Sequence, residues 1–324
     1  MRTLDFRVHY NTILFNFVDT LSQWDYFVGQ HIRQYYKENY NLDENDKKQL
    51  KEYAKIRKKI DWEKEIALFN WAYDGFTPHT EFSTLESTLK HFETKTSKNG
   101  QTLKLELEEA TQQITDIAKD IQQRFNEQQI EKTIRDFAVL FNSPLSNEPL
   151  PCYLTYSPFD ESTQGGANGD GIYAQVSTSL QRDNQVQITI ETVAHEYMHK
   201  VLNPGRYFKE HSDDAKRKMY NTKFPEIYPD ELYQFVEEVI VHSINDVLTF
   251  GIDPIEERDY YDGAYKDDEE RRKQVVTLWQ AISDVSKILG EFKDGKIGEE
   301  EVKERMERYW EETIKPNNSE NTPI

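Results

Sequence analysis

Between residues 10 and 142, apolar side chains recur every three or four positions, as Ile13, Phe17, Val18, Trp24, Phe27 and Ile32 do near the start. That spacing matches the 3.6-residue turn and predicts a mainly helical region. Breaks at Asn41-Leu42-Asp43-Glu44, Gly75-Phe76-Thr77-Pro78 and Lys98-Asn99-Gly100 divide it into successive helices. After the last break, Leu103, Leu105, Leu107, Ile114, Ile117, Ile121 and Phe125 are expected to pack on neighbouring helices. Their apolar heptad is not sustained, which favours a packed helix over a coiled-coil partner surface.

The pattern changes at Ser143-Pro144-Leu145-Ser146-Asn147. Cys152 to Tyr156 and Gly171 to Val176 read as short strands, and the alternation in Val186-Gln187-Ile188-Thr189-Ile190 reads as a third, half-buried one. Gly165-Gly166-Ala167-Asn168-Gly169-Asp170 reads as a flexible loop at a cleft rim; it lacks the spacing of a phosphate-binding loop. Helical periodicity returns at Glu191, pauses near Asn203-Pro204-Gly205, and resumes over 230–249, 266–288 and 298–313. The expected architecture is α+β, mostly helical, with a small sheet beside the helix that follows Ile190. Residues 1–142 form a helical N-terminal region, 143–315 a second region carrying the candidate chemistry, and 316–324 a frayed tail.

Composition narrows the functional classes. With 59 acidic against 40 basic side chains the formal charge is -19, and no basic stripe interleaved with aromatics offsets it. Nucleic acid is therefore not an expected partner. Cys152 is the sole cysteine, which excludes a disulfide framework and a thiolate-rich zinc site. No apolar run is long enough to span a membrane, and the first residues show no signal-peptide pattern; the expected location is the cytoplasm, away from membranes. Apolar residues are only 36% of the chain, but 19 Tyr, 17 Phe and 5 Trp supply large surfaces for a core.

The candidate chemistry lies in His195-Glu196-Tyr197-Met198-His199. On a helix, residues four apart share a face, so both imidazoles can reach one metal ion. Zinc accepts neutral imidazoles well and needs one further protein ligand beside a water. Glu196 is then placed to act as general base on that water. Val193, Ala194, Tyr197 and Met198 give the helix a packing surface, which supports a metal site over an ordinary surface helix.

A second helix, with Phe235, Val236, Val239, Ile240, Ile244, Val247 and Leu248, carries Glu237 and Glu238 among apolar neighbours. A carboxylate in such a place needs a partner, and a metal is a strong one. Helical geometry leaves Glu237 and Glu238 both open as the third ligand. His242 lies four residues beyond Glu238 and shares its face, as a supporting partner or a transition-state donor.

These motifs resemble those of gluzincin-type zinc metallopeptidases, in which His-Glu-x-x-His supplies two ligands and the base and a downstream helical Glu supplies the third ligand. The resemblance implies zinc ligands His195, His199 and Glu238, with Glu196 as base. The stretch Val193 to Pro204 also resembles a bacterial group of zincin-like proteins with a His-Glu-aromatic-x-His segment followed by Asn-Pro. It covers residues 150–285 and is specific mainly at 193–204. The long separation of His199 from Glu238 departs from compact gluzincins and makes 206–229 an insertion or lid. No metzincin continuation follows His195, and His211 is too distant to provide one.

The expected function is hydrolysis of peptide bonds in a peptide or protein substrate, by zinc-activated water. Substrate is expected to lie along a sheet edge near Val176 or Val186 to Ile190. His242, Tyr260, Tyr261 or Tyr265 are the candidates for stabilising the oxyanion. His9, His31, His79 and His91 are read as structural or surface residues. Hydrolysis of another amide, and a non-catalytic helical interaction protein, are the competing readings.

Overall fold

The computed structural model describes residues 4–23, 30–61, 64–79, 81–141, 143, 148–158, 165–168, 170–202 and 232–314. Trp24, Phe27, Pro144 to Asn147, Gly169, Asn203-Pro204-Gly205, the 206–229 segment with His211, the 316–324 tail and the side chain of His31 lie outside that description. The elements in chain order are β1 (Leu4–Arg7), α1 (Tyr10–Leu21), α2 (Gln30–Asn39), α3 (Glu44–Arg57), α4 (Glu65–Tyr73), α5 (Ser83–Glu93), α6 (Leu103–Glu127) and α7 (Ile130–Ala138). Then follow β2 (Leu150–Ser157), β3 (Gly165–Asn168), β4 (Gly171–Ser177), α8 (Arg182–Leu202), α9 (Leu232–His242), a π-helical segment (Ser243–Thr249), α10 (Pro254–Ala264), α11 (Glu269–Lys293) and α12 (Glu299–Ile314). This is the mostly helical α+β architecture that the periodicity predicts. The chain divides into two units, residues 1–129 with 146–200, and residues 130–145 with 201–324.

In the first unit the sheet has the order β1-β2-β4-β3. β1 pairs parallel to β2 from Leu4 opposite Leu150 to Arg7 opposite Tyr153, and β2 pairs parallel to β4 from Cys152 opposite Ile172 to Ser157 opposite Ser177. β3 is antiparallel to β4, with Gly165 opposite Ala174 and Asn168 opposite Gly171. β4 is buried along its whole length. Two of the expected strands are thus present, and two more appear. β1 is only four residues long and its partner is far along the chain, so no local window reveals it. Gly165 to Asn168, expected as a loop, is held as a strand by β4 despite poor strand propensity.

The third expected strand is helical. Val186 to Ile190 lie within α8, where the burial pattern runs in pairs: Gln185 and Val186, Thr189 and Ile190, Val193 and Ala194, Tyr197 and Met198, Val201 and Leu202. The alternation of five residues is the local appearance of a helical stripe that persists over four turns. Val176 is on β4, where it pairs with Tyr156 of β2; β3 pairs with β4 only from Gly171 to Ala174, and among the described strands β1 and β3 are outermost.

The core of this unit is α1, which is buried from Thr12 to Leu21 and touches α2, α3, α4, α5, α6 and β2. Burial on every side leaves Asp19 to be satisfied internally: it accepts from Tyr53 Oη at 2.9 Å and Arg57 Nε at 3.1 Å, and Glu65 lies 3.7 Å from Arg57 Nη2. Three charges are thereby held together out of water, the condition under which burial is tolerated. The expected helix breaks are real. α3 starts on a capping box of Asp43 and Asp46, and Gly75 and Gly100 sit at φ +78° and +87°, a backbone region that suits glycine.

In the second unit α11 runs through the centre and packs against α9, the π-helical segment, α10 and α12. Aromatic contacts of Phe235 with Trp310 and of Phe137 with Phe292 fill the space around it. Among the described residues, no helix is long and apolar enough to cross a membrane.

One sequence expectation divides within α6. Leu107 is fully buried, whereas Leu105 is 47% exposed. Leu107→Ala is expected to lower unfolding free energy by about 2–5 kcal/mol, and Leu105→Ala by less than about 0.5 kcal/mol. Denaturant unfolding of the two variants measures the difference, and equal losses would refute the assigned face.

Candidate metal centre

The paired burial of α8 determines what its other side presents. Between the buried pairs lie half-buried pairs, Gln187 and Ile188, Glu191 and Thr192, His195 and Glu196, His199 and Lys200. The helical repeat thus puts His195, Glu196 and His199 on one stripe that is neither core nor open surface. The two imidazoles approach closely: Nε2 of His195 and Nε2 of His199 are 3.0 Å apart, and their rings are steeply inclined with centroids 4.7 Å apart. Tetrahedral zinc with Zn–N bonds of 2.0–2.1 Å separates two nitrogens by about 3.4 Å. A few tenths of an ångström separate the observed pair from that value.

Glu196 lies beside the outer strand of the sheet, against Gly165 of β3. The opposite side of α8 is anchored, with Tyr197 against Phe125 of α6 at a ring separation of 6.2 Å, and Arg124 and Asp120 of α6 paired with Asp183 and Arg182. Cys152 on β2 is fully buried; burial, with the charges of Asp5 and Glu196 adding to it, pushes its thiol up. A thiol so held is neither a ready metal ligand nor a nucleophile.

In the second unit, α9 buries Phe235, Val236, Val239, Ile240 and Val241 and leaves Glu237, Glu238 and His242 half-buried. Glu238 Oε2 is 3.7 Å from His242 Nε2, so the expected shared face is present. The other nitrogen of His242, Nδ1, lies 2.6 Å from Asp246 Oδ2, and Asn245 Nδ2 donates to Asp246 Oδ1 at 2.7 Å. With Asp246 ionised, its carboxylate can only accept there, and Nδ1 is then the ring nitrogen that donates. Asp246 sits on the π-helical segment that continues α9, a departure from regular pitch often found at functional sites. Sequence reasoning missed it, although Glu238, His242 and Asp246 keep a spacing of four.

The tyrosines differ from one another. Tyr260 is 67% exposed, with its ring against Tyr261. Tyr261 is half-buried and stacks on Trp279 with an interplanar angle of 14°, and Trp279 also packs against His242 at 5.8 Å. Burial, then the charge of Glu257, pushes the Tyr261 phenol up and keeps it protonated. Tyr265 stacks on Tyr261 and carries Arg271 over its ring. Of the other described histidines, His9 caps α1 by accepting from Asn11 N, His91 pairs with buried Asp46, and exposed His79 stacks on Phe82.

Comparison of the chain with protein-family models, with curated proteins and with solved structures finds no match.

The His242 geometry is open to direct measurement. A ring N–H hydrogen-bonded to a carboxylate gives a strongly downfield proton resonance. Asp246→Asn is expected to move the His242 Nδ1 proton signal upfield while backbone signals of α11 stay in place. An unchanged resonance would show that Asp246 does not hold this ring.

Proposed function

We propose that this protein hydrolyses peptide bonds with a zinc ion held by His195, His199 and Glu238, and with Glu196 as general base. The observation that carries this reading is the close His195 and His199 pair, with Glu196 on the same half-buried stripe of α8. Two imidazoles and one carboxylate are a donor set that suits zinc, and the only cysteine is a buried thiol of β2. Glu238 is favoured over Glu237 because it lies on the His242 side of α9. Zinc in such a set retains a position for water, lowers the pKa of that water and polarises the scissile carbonyl.

The remaining steps belong to the chain. Glu196 accepts the proton from the attacking water and returns it to the departing amine. His242, whose Nδ1 lies against Asp246, is assigned to donate from Nε2 to the developing oxyanion when the ring is protonated. Extended substrate is assigned to the outer edge of β3, the strand beside Glu196, since Val186 to Ile190 is helical.

Metal analysis of the purified protein is expected to find one zinc per chain. His195→Ala and Glu238→Ala should each abolish that stoichiometry with the circular dichroism spectrum retained, and Glu237→Ala should not. Undiminished zinc in either of the first two variants rejects the ligand set. Glu196→Gln should keep its zinc and lose about 100-fold or more in kcat on fluorescein-labelled casein. Undiminished turnover in that variant would sink the assignment of the base.

A further inference from the structure

β3 begins with two adjacent glycines, Gly165 and Gly166, and neither adopts the left-handed backbone region that would require glycine. The reason for their small size has to be sought in what surrounds them. A Cβ on Gly165 would stand 2.6 Å from Cγ, 2.8 Å from Oε1 and 3.0 Å from Cδ of Glu196. Carbon atoms in ordinary contact are about 3.5–4.0 Å apart. The space that a side chain at 165 would need is therefore already taken by the Glu196 side chain.

Gly166 meets a different obstacle. Its Cβ would lie 2.4 Å from Cε1 and 2.8 Å from Cζ of Tyr173, the residue opposite it on β4. Tyr173 is 4% exposed, and its ring stacks on Phe69 with centroids 4.9 Å apart. That ring is fixed by the core, whereas Glu196 is a flexible, half-buried side chain that can rotate away. Substitution of the two glycines should thus have opposite consequences.

We propose that Gly165 is a positioning residue for Glu196: its missing side chain lets the β3 backbone lie directly against the carboxylate and determines where that carboxylate rests. The catalytic consequence rests on Glu196 being the base; the seating of the side chain does not. With alanine at 165, restoring normal contact requires Glu196 to move by about 1 Å. Displacement of a reacting group on that scale lowers rate by about 100-fold. The three atoms nearest the added methyl all belong to Glu196 and none to the two imidazoles on α8, so metal binding should persist.

The test uses Gly165→Ala, Gly166→Ala, Glu196→Gln and the Gly165→Ala/Glu196→Gln double variant of the full chain. Crystal structures of wild type and Gly165→Ala are expected to show the Glu196 carboxylate displaced with the α8 backbone unmoved; an undisplaced carboxylate overturns the proposal. On labelled casein, Gly165→Ala should lose about 100-fold in kcat, with KM changed less than about twofold and with zinc content and melting temperature retained. The double variant should be no slower than Glu196→Gln, because Gly165 acts only through Glu196; a further loss overturns the proposal. Gly166→Ala should instead lower the melting temperature. A displaced carboxylate with undiminished kcat, or a wild-type protein without zinc-dependent cleavage, overturns Glu196 as base while leaving the seating role of Gly165 supported.

Discussion

The candidate site depends on the register of a single helix. Because α8 buries two adjacent residues in every turn from Gln185 to Leu202, the intervening pairs are forced onto one half-buried stripe. His195, Glu196 and His199 occupy that stripe and nothing else in the motif does; Tyr197 and Met198 are core. Shifting the buried pairs by one residue toward the C-terminus would place both histidines in the core and Tyr197 outside. The apolar residues that look incidental to the motif are thus what aims it. The imidazoles are brought together by packing on their far side, which supplies the preorganisation that a metal centre needs.

The helical face was readable from the sequence because it repeats over many turns. The same length dependence explains where local reading failed. Val186 to Ile190 alternate convincingly over five residues, but the buried positions 186, 190, 193, 194, 197 and 198 belong to one helical period. β1 and β3 were illegible for another reason: four-residue strands carry too little pattern, and each exists because a partner strand completes its hydrogen bonding. His195, Glu196 and His199 were identifiable from spacing, and so was the sharing of a face by Glu238 and His242. Asp246 had the same spacing of four but no motif to draw notice to it. Gly165 had no signal at all, since a glycine needed for contact looks in sequence like a glycine needed for a turn.

Charge is arranged by environment more than by number. The excess of acidic side chains stays largely at the surface, where pairs such as Arg182 with Asp120 contribute little each. Of the buried charges, Asp19, Arg57 and Glu65 are grouped with one another around α1, and Asp46 is paired with His91 and Lys95. The candidate site falls between these extremes. Side-chain exposures of 27% at Glu238, 25% at His242 and 14% at Asp246 leave these groups partly desolvated yet in contact with solvent. In such surroundings electrostatic interactions are stronger than in water, and Asp246 can hold the His242 ring against thermal rotation.

X-ray absorption at the zinc edge, on protein loaded with one equivalent of the metal, addresses the central claim most directly. The account predicts two imidazole nitrogens at about 2.0–2.1 Å, completed by oxygen and without sulfur, and predicts that one imidazole is lost in His199→Ala. A spectrum of hydrated zinc without imidazole, or one containing a sulfur ligand, would contradict it.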